Sequence, residues 1–277
     1  MTLRTAASAR EALDGARTAI AAGGSESPRL DAELLLADAL GVARERLVRD
    51  PELPVAGAAV RLLQSHVRRR AVEREPVAYI LGRRHFRRLE LRVDRRVLIP
   101  RPETELLVEV GLELAPGARV LDCCTGCGAV ALALKDERPD LRLTGSDVSA
   151  EALDVARANG ERLGLAVDWV EASLLDGLED RFDAILANPP YVPSGVLPGL
   201  APEIARHEPA IALDGGPDGL ELVRALSAQA LATRAGLLAF ELGHGQAPRV
   251  AALWSGAGIV ELRRDLAGTE RVILLRR

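Results

Sequence analysis

An asparagine, two prolines and a tyrosine follow a short apolar run, and their types and spacing could do chemistry. Asn188 comes directly after residues 184–187, a run typical of a buried strand. Pro189 and Pro190 cannot continue the strand because neither has an N–H for the hydrogen-bond ladder. The side-chain oxygen of Asn188 and the carbonyl of Pro189 can then accept both hydrogens of a flat NH₂ group, while Tyr191 covers its face.

Two strong acceptors on an NH₂ group favour methylation of its nitrogen. An amide or aniline-type nitrogen is a poor nucleophile because its lone pair is delocalised. Acceptors on both N–H bonds return electron density to the nitrogen and aim its lone pair at an electrophile. The sequence therefore predicts Asn188, Pro189, Pro190 and Tyr191 as catalytic residues and predicts no metal site.

A glycine turn and an acidic residue follow two earlier predicted strands. Gly126 and Gly128 let the backbone approach a ligand between the strand 119–122 and the next helix. Asp147, about 20 residues further on, follows a second strand and can accept hydrogen bonds from both hydroxyls of a ribose. An NAD site is the alternative, but Cys124 stands where its first glycine would be. S-adenosylmethionine fits better because it supplies both a ribose and a sulfonium methyl group.

Helices and short apolar strands alternate from about residue 103 onward. This alternation predicts an α/β fold with a mostly parallel, doubly wound sheet. Its sites lie at the carboxyl ends of strands, where open α/β sheets bind ligands. The predicted strands are 119–122, 141–146, 167–170, 184–187, 237–241, 260–263 and 271–275, and the helices are 129–137, 150–163, 218–232 and 246–256.

The N-terminal part of the chain is predicted to be helical. Ser8 and Glu11 have the spacing of a capping box, and Pro28 suits the first position of a second helix that ends near Gly41. Apolar and charged residues alternate over 89–94, which predicts a strand in a connecting hairpin. The predicted domains are residues 1–85, a linker with a β-hairpin over 86–102, and residues 103–277.

Charge and cysteine usage narrow the class of protein. The 277 residues carry a net charge of −4, so bulk charge does not indicate a nucleic-acid binder. Residues 61–101 nevertheless hold 13 arginines against four acidic residues, which indicates a docking surface for an acidic partner or RNA, or a solvated helix face. The three clustered cysteines lack a second ligand pair and fit a reducing compartment. With no long apolar run and no signal-like start, a cytoplasmic location and no membrane partner are expected.

Motifs along nearly the whole chain resemble the release-factor glutamine methyltransferase family, the HemK/PrmC type. The stretch from Leu98 to Glu105 together with the helical N-terminal part is more specific than Asn188-Pro-Pro-Tyr191, which adenine-amino methyltransferases share. The motifs that carry the resemblance are Ser27-Pro-Arg-Leu-Asp-Ala-Glu33, Glu75-Pro-Val-Ala-Tyr-Ile-Leu-Gly82, Leu98-Ile-Pro-Arg-Pro-Glu-Thr-Glu105, Asn188-Pro-Pro-Tyr191, Glu208-Pro-Ala-Ile-Ala-Leu213, Glu241-Leu-Gly-His-Gly245 and Glu270-Arg-Val272.

The resemblance implies a seven-stranded Rossmann-like methyltransferase sheet, with an antiparallel last strand, and a small N-terminal helical domain. It implies methyl transfer from S-adenosylmethionine to the glutamine side chain in the Gly-Gly-Gln loop of class I peptide-chain release factors. Asp147 would hold the ribose, while Ser173 and Leu174 would line the adenine. The other cofactor-binding residues that it implies are Arg101, Pro102, Thr104, Cys124, Thr125, Gly126, Cys127, Gly128 and Asn188. The family's Asp-Leu-Gly-Thr-Gly is Asp122-Cys-Cys-Thr-Gly126 here, so the geometry of the local turn is an open question.

Two alternatives remain at this point. An adenine-amino DNA or RNA methyltransferase would use the same NH₂ geometry, but this chain is acidic overall and lacks an evident target-recognition domain. A base-flipping enzyme needs a phosphate-binding face, for which residues 61–101 are the only candidate, so direct nucleic-acid binding is not expected. A non-catalytic cofactor-binding scaffold would not need Asn188-Pro-Pro-Tyr191. For the methyltransferase, the N-terminal region is expected to dock the release factor, with Arg68, Arg69 and Arg70 as its candidate contacts.

Overall fold

A computed structural model describes residues 7–178 and 181–277, which form two compact units. The helical unit comprises the described residues up to Gly82 together with Ala201–His207. The α/β unit comprises Arg83–Leu200, apart from residues 179–180, and Glu208–Arg277. None of the helices in these described ranges combines the length and apolar character that a membrane span requires.

Helices and strands are numbered here in chain order. The α-helices are α1 Ala9–Ala22, α2 Pro28–Leu40, α3 Arg44–Arg49, α4 Ala58–Ala71, α5 Val77–Leu81, α6 Glu105–Leu112, α7 Ala129–Glu137, α8 Ala150–Leu163, α9 Pro202–Ala205, α10 Glu221–Ala232 and α11 Ala247–Leu253. The strands are β1 Ala7–Ser8, β2 Pro54–Val55, β3 Arg83–Phe86, β4 Leu89–Arg92, β5 Arg119–Cys123, β6 Arg142–Asp147, β7 Asp168–Glu171, β8 Ala184–Ala187, β9 Leu237–Glu241, β10 Ile259–Arg264 and β11 Glu270–Arg276. Short 3₁₀ turns cover Pro102–Thr104, Ser194–Gly199 and Ala210–Ala212.

The helical unit begins with the predicted capping box. The backbone N–H of Glu11 donates to the Ser8 hydroxyl at 3.2 Å, and the Glu11 carboxylate accepts from the Ser8 N–H at 2.8 Å. These two bonds satisfy donors that a helix start otherwise leaves open. Pro28 is the first residue of α2, and Gly41 ends that helix in the left-handed conformation, with φ 65°. Both predicted helix boundaries are therefore confirmed.

The structure corrects the expectation that Arg68, Arg69 and Arg70 form one exposed docking surface. Arg70 is buried, and its guanidinium pairs with Asp31 and Glu203. Arg69 makes a bidentate ion pair with the buried Glu75. Arg68 alone of the three points to solvent, with 76% of its side chain exposed. The physical reason is helical periodicity, because three consecutive helix positions face three different directions.

The α/β unit contains a seven-stranded sheet with the order β10-β11-β9-β8-β5-β6-β7. Strands β9, β8, β5, β6 and β7 pair in parallel, whereas the last strand, β11, runs antiparallel to both of its neighbours. Residues of β8 are buried throughout, as a parallel strand covered on both faces requires. The predicted fold class is confirmed. A separate hairpin pairs β3 with β4.

The sheet register brings the ends of four strands to one edge. Cys123 at the end of β5 pairs with Ser146 of β6 and with Ala187 of β8, and Ala187 pairs with Phe240 of β9. The residues that follow these strands therefore emerge side by side. This edge carries the glycine turn, Asp147 and the Asn-Pro-Pro-Tyr segment.

Candidate active site

A cavity of about 320 Å³ opens at this edge of the α/β unit. It brings together ten of the predicted site residues, although they come from distant parts of the sequence. Those residues are Thr104, Cys124, Thr125, Gly126, Cys127, Asp147, Ser173, Leu174, Asn188 and Pro190.

Five predicted site residues are not among the lining of this cavity. Gly128 precedes α7 with φ +84°, and a Cβ there would meet the Trp169 ring at 2.8 Å. Arg101 pairs with the buried carboxylate of Glu208 at 2.6 Å. The remaining three are Pro102, which starts a 3₁₀ turn, Pro189, which is buried, and Tyr191, whose hydroxyl donates to Glu241 at 3.1 Å.

Two further segments line the cavity that the site prediction did not include. One runs from Arg96 to Pro100, and the other contains Pro209, Ile211 and Ala212. Both overlap motifs that carried the family resemblance, so the signal was present in the sequence. The side chains of these two segments are mostly apolar, so their residue types did not indicate a binding surface.

Two carboxylates hold the glycine turn in place. Buried Asp122 accepts from the Thr125 hydroxyl at 2.6 Å and from the Ala131 N–H at 3.1 Å. Burial raises the pKa of Asp122 to about 7, against the opposing effect of these two hydrogen bonds. Asp147 accepts from the backbone N–H groups of Gly126 at 2.9 Å and Ser149 at 3.0 Å. Each of its oxygens keeps a lone pair for a further donor.

The turn keeps a glycine-like backbone although residue 124 is a cysteine. Cys124 has φ 59°, in the left-handed region that favours glycine. Leu174, on another loop at the cavity, has φ 53°. Such conformations concentrate at functional sites, where surrounding structure holds them in place. Replacing the family's glycine with cysteine therefore leaves the turn intact.

Cysteine chemistry does not account for the site. All three cysteines are free thiols, and burial raises the pKa of Cys127 to about 12. Reactive cysteines need a depressed pKa, so this thiol is inert near neutral pH. Within residues 7–178 and 181–277, no group of three or more His, Cys, Asp or Glu side chains is placed to hold a metal.

The Asn188 amide is oriented by a hydroxyl group. Its Nδ2 donates to the Thr104 Oγ1 at 3.2 Å. Across the described part of the chain, neither the Asn188 Oδ1 nor the Pro189 carbonyl accepts a hydrogen bond. The Asn188 Oδ1 is thus left for a donor that enters the cavity, whereas Pro189 is buried and is not among the residues that line it.

This sheet order, with its antiparallel last strand and the strand-end cavity, defines the S-adenosylmethionine-dependent methyltransferase class. A family model described as the PrmC N-terminal domain matches residues 11–82, and one described as the methyltransferase small domain matches residues 102–204. A crystallised methyltransferase from Pyrococcus furiosus shares the fold, with a TM-score of 0.52, 18% identity, and coverage of 78% of this chain and 96% of that one.

Relatives at higher identity define the family. The release factor glutamine methyltransferase of Caulobacter vibrioides is 41% identical, covering 91% of this chain and 90% of its own. That of Moorella thermoacetica is 41% identical, covering 96% of this chain and 97% of its own. The chain belongs to the release factor glutamine methyltransferase family, as its motifs indicated.

S-adenosylmethionine is the methyl donor of this class, and the residues at the cavity fit it. The half-buried Asp147 carboxylate suits a ribose diol because each oxygen can accept one more hydrogen bond. Most of the other lining residues are small or apolar, which suits an adenine ring and a methionine chain. The expected cofactor therefore agrees with the side chains present.

Proposed function

We propose that this chain methylates the side-chain amide of a glutamine in a release factor. The glutamine is that of the Gly-Gly-Gln motif of class I peptide-chain release factors. Because these factors act in translation, the proposed location of the enzyme is the cytoplasm. The observation that carries the proposal is the Asn188 amide, held by Thr104 so that its oxygen is left for an N–H donor. A glutamine side chain presents two such hydrogens on one planar nitrogen.

The residues at the cavity act by orientation and hydrogen bonding. Asn188 Oδ1 and the Pro189 carbonyl each accept one N–H of the glutamine amide, which returns electron density to its nitrogen. When bound, S-adenosylmethionine supplies a methyl group activated by a sulfonium centre. Methyl transfer would form an N–C bond at the amide nitrogen that Asn188 and Pro189 orient, leave the S–C electron pair on sulfur, and release one amide proton to solvent.

In this proposal the predicted cofactor residues divide by location. Asp147 holds the ribose hydroxyls, and Ser173 with Leu174 lines the adenine. Thr125 and Gly126 face the methionine chain, with Gly128 supporting them through its left-handed backbone. Arg101 and Pro102 do not line the cavity, so their proposed contribution is to position the adjacent segment through the Arg101–Glu208 ion pair.

Asp147→Ala is expected to weaken S-adenosylmethionine binding about tenfold to a hundredfold, because a charge-assisted hydrogen bond contributes about 1.5–3 kcal/mol. Isothermal titration calorimetry measures the dissociation constant directly. Asp168→Ala is the matched control, since Asp168 is an exposed carboxylate on the neighbouring strand β7. Equal affinity in Asp147→Ala and wild type would remove Asp147 from the cofactor site.

The function is tested with methyl-labelled S-adenosylmethionine and three acceptors in parallel. These are a class I release factor, the same factor with the Gly-Gly-Gln glutamine changed to alanine, and duplex DNA. Label on the unaltered factor alone supports the proposal. Label on DNA would favour an adenine-amino methyltransferase, and cofactor binding without transfer to any acceptor would favour a non-catalytic scaffold.

The helical unit is proposed to contribute the docking surface for the release factor. A glutamine side chain is too common to be selected by the cavity alone, so selection needs contacts with the rest of the factor. On α4, Arg61 and Arg68 are exposed, unlike the buried Arg70. They are the revised candidates for binding an acidic surface of the factor.

Reversing these two charges, with Arg61→Glu and Arg68→Glu combined, is expected to raise the Michaelis constant for the whole factor about fivefold or more. Turnover at saturation and methylation of a short Gly-Gly-Gln peptide should change little. The defect should shrink at high salt because exposed charges are screened. Arg157→Glu combined with Arg264→Glu, two exposed positions of the α/β unit, changes the net charge by the same amount and is the control. Equal losses on peptide and whole factor would contradict the docking role.

A further inference from the structure

The orientation of the Asn188 amide depends on which way the Thr104 hydroxyl points. Thr104 is buried, and its Oγ1 lies 3.2 Å from Asn188 Nδ2. A hydroxyl can donate one hydrogen bond and can accept others. If Thr104 donated to Asn188, the amide would turn its NH₂ toward the cavity and repel a glutamine NH₂. The hydroxyl hydrogen must therefore point to another acceptor.

Glu241 supplies a buried carboxylate that interacts with the Thr104 hydroxyl. It is the last residue of β9 and is 1% exposed. Its Oε1 accepts from the Tyr191 hydroxyl at 3.1 Å, whereas its buried Oε2 has no hydrogen-bond partner within the described ranges. An ionised carboxylate only accepts hydrogen bonds, so any hydroxyl beside it points its hydrogen toward it.

Burial raises the pKa of Glu241 to about 6, and interaction with the Thr104 and Tyr191 hydroxyls opposes that rise. The other charged groups that act on it are Glu103, which raises its pKa, and Arg271, which lowers it. Glu241 is therefore mostly ionised at pH 7 and becomes protonated below about pH 6. Once protonated, it can donate a hydrogen and no longer fixes the direction of its neighbours.

We infer that Glu241 is a positioning residue for methyl transfer, acting through Thr104 to keep the Asn188 Oδ1 facing the cavity. This inference rests on the proposed function, because it concerns how the substrate amide is held. The carboxylate orients the Thr104 hydroxyl hydrogen toward its unpartnered Oε2, which leaves the Thr104 oxygen to accept from Asn188 Nδ2. The acceptor that remains, Oδ1, is the one that a glutamine NH₂ requires.

The loop that follows β9 also supports the segment that contains Asn188. The Gln246 Nε2 donates to the Tyr191 carbonyl at 2.9 Å, while its Oε1 accepts from the Gly243 N–H at 2.8 Å.

A purely structural role for Glu241 would be to hold the Tyr191 hydroxyl. Tyr191→Phe removes that bond and leaves Glu241 beside Thr104, so it separates the two roles.

The direct test is the side-chain amide of Asn188 in nitrogen-labelled full-length protein. Between pH 5 and 8 its NMR signal should shift with an apparent pKa near that of Glu241, and Glu241→Gln should abolish the shift. The exposed Glu161→Gln on α8 is the matched control and should keep it. A shift that persists in Glu241→Gln, or no shift in wild type, would overturn the inference without bearing on which substrate is methylated.

Activity provides the second test, with wild type required to methylate the release factor first. Glu241→Gln should lower turnover about tenfold and flatten its rise near pH 6, with S-adenosylmethionine affinity nearly unchanged. Thr104→Ser keeps the hydroxyl and should retain more turnover than Thr104→Val. Turnover of Glu241→Gln within twofold of wild type, a Tyr191→Phe defect as large as that of Glu241→Gln, or equal losses in the two Thr104 variants would overturn the inference. An inactive wild type would instead refute the proposed function.

Discussion

Asn188→Ala is expected to lower the turnover number by a factor on the order of 10² or more. One preorganised hydrogen bond to a transition state contributes about 10²–10³ in rate, and the Asn188 oxygen matters most as the amide nitrogen gains positive charge. Alanine also removes the only hydrogen bond that the Asn188 side chain makes to Thr104 within the described residues. Single-turnover transfer of labelled methyl to the release factor measures the effect on chemistry.

Cofactor binding separates this effect from damage to the site. S-adenosylmethionine affinity, measured by calorimetry, should change far less than turnover because the ribose is assigned to Asp147. Methylation that survives within a few-fold in Asn188→Ala would show that the hydrogen bond from the substrate amide to Asn188 is not the source of catalysis. A parallel loss of affinity and turnover would instead indicate a collapsed cavity.

The sheet could be predicted because its signals are local. Residues 184–187 form an apolar run of strand length, and the prolines after Asn188 fix where the strand ends. Parallel strands place their carboxyl ends at one edge, so the predicted parallel sheet was enough to bring Asp147 and Asn188 to the same edge. The reasoning needed only periodicity and the rules for open α/β sheets.

Interactions between distant residues could not be predicted in the same way. The Asn188–Thr104 hydrogen bond joins residues 84 positions apart, and the Arg70–Glu203 pair joins residues 133 apart. The type of a residue does not identify its partner, because any hydroxyl or carboxylate at the same position in space could make the same contact. The direction of each side chain could therefore not be predicted from the sequence, and all three arginines of α4 were expected to face solvent.

The cysteine at position 124 illustrates a third case. A missing glycine suggested a changed turn, since left-handed backbone costs an ordinary residue about 1–2 kcal/mol. The turn persists because Asp122 and Asp147 both hold it through hydrogen bonds to Thr125 and Gly126. The low propensity of cysteine for left-handed backbone is overridden by these hydrogen bonds, which cannot be recognised in the sequence pattern.

Arg70→Met is expected to destabilise the helical unit by about 3 kcal/mol, near the lower end of the range for removing one partner from a buried ion pair. Methionine keeps much of the apolar stem but leaves Asp31 without the Nε donor at 2.6 Å. The loss is moderated because Arg74 also binds Glu203 and the hydroxyls of Ser25 and Ser27 also bind Asp31. Urea unfolding followed by far-ultraviolet circular dichroism measures the change in free energy.

Arg68→Met on the same helix is the matched control, because it removes the same charge from an exposed position. Its effect on stability should stay within about 0.5 kcal/mol, as for most surface substitutions. Hydrogen exchange should show faster opening of α2 and α4 in Arg70→Met but not in Arg68→Met, since α2 carries Asp31 and α4 carries Arg70. Equal stability of the two variants would mean that the buried ion pair only balances its own desolvation. In that case Arg70 would specify the arrangement of the helices rather than stabilise it, and its replacement by an apolar residue would be tolerated.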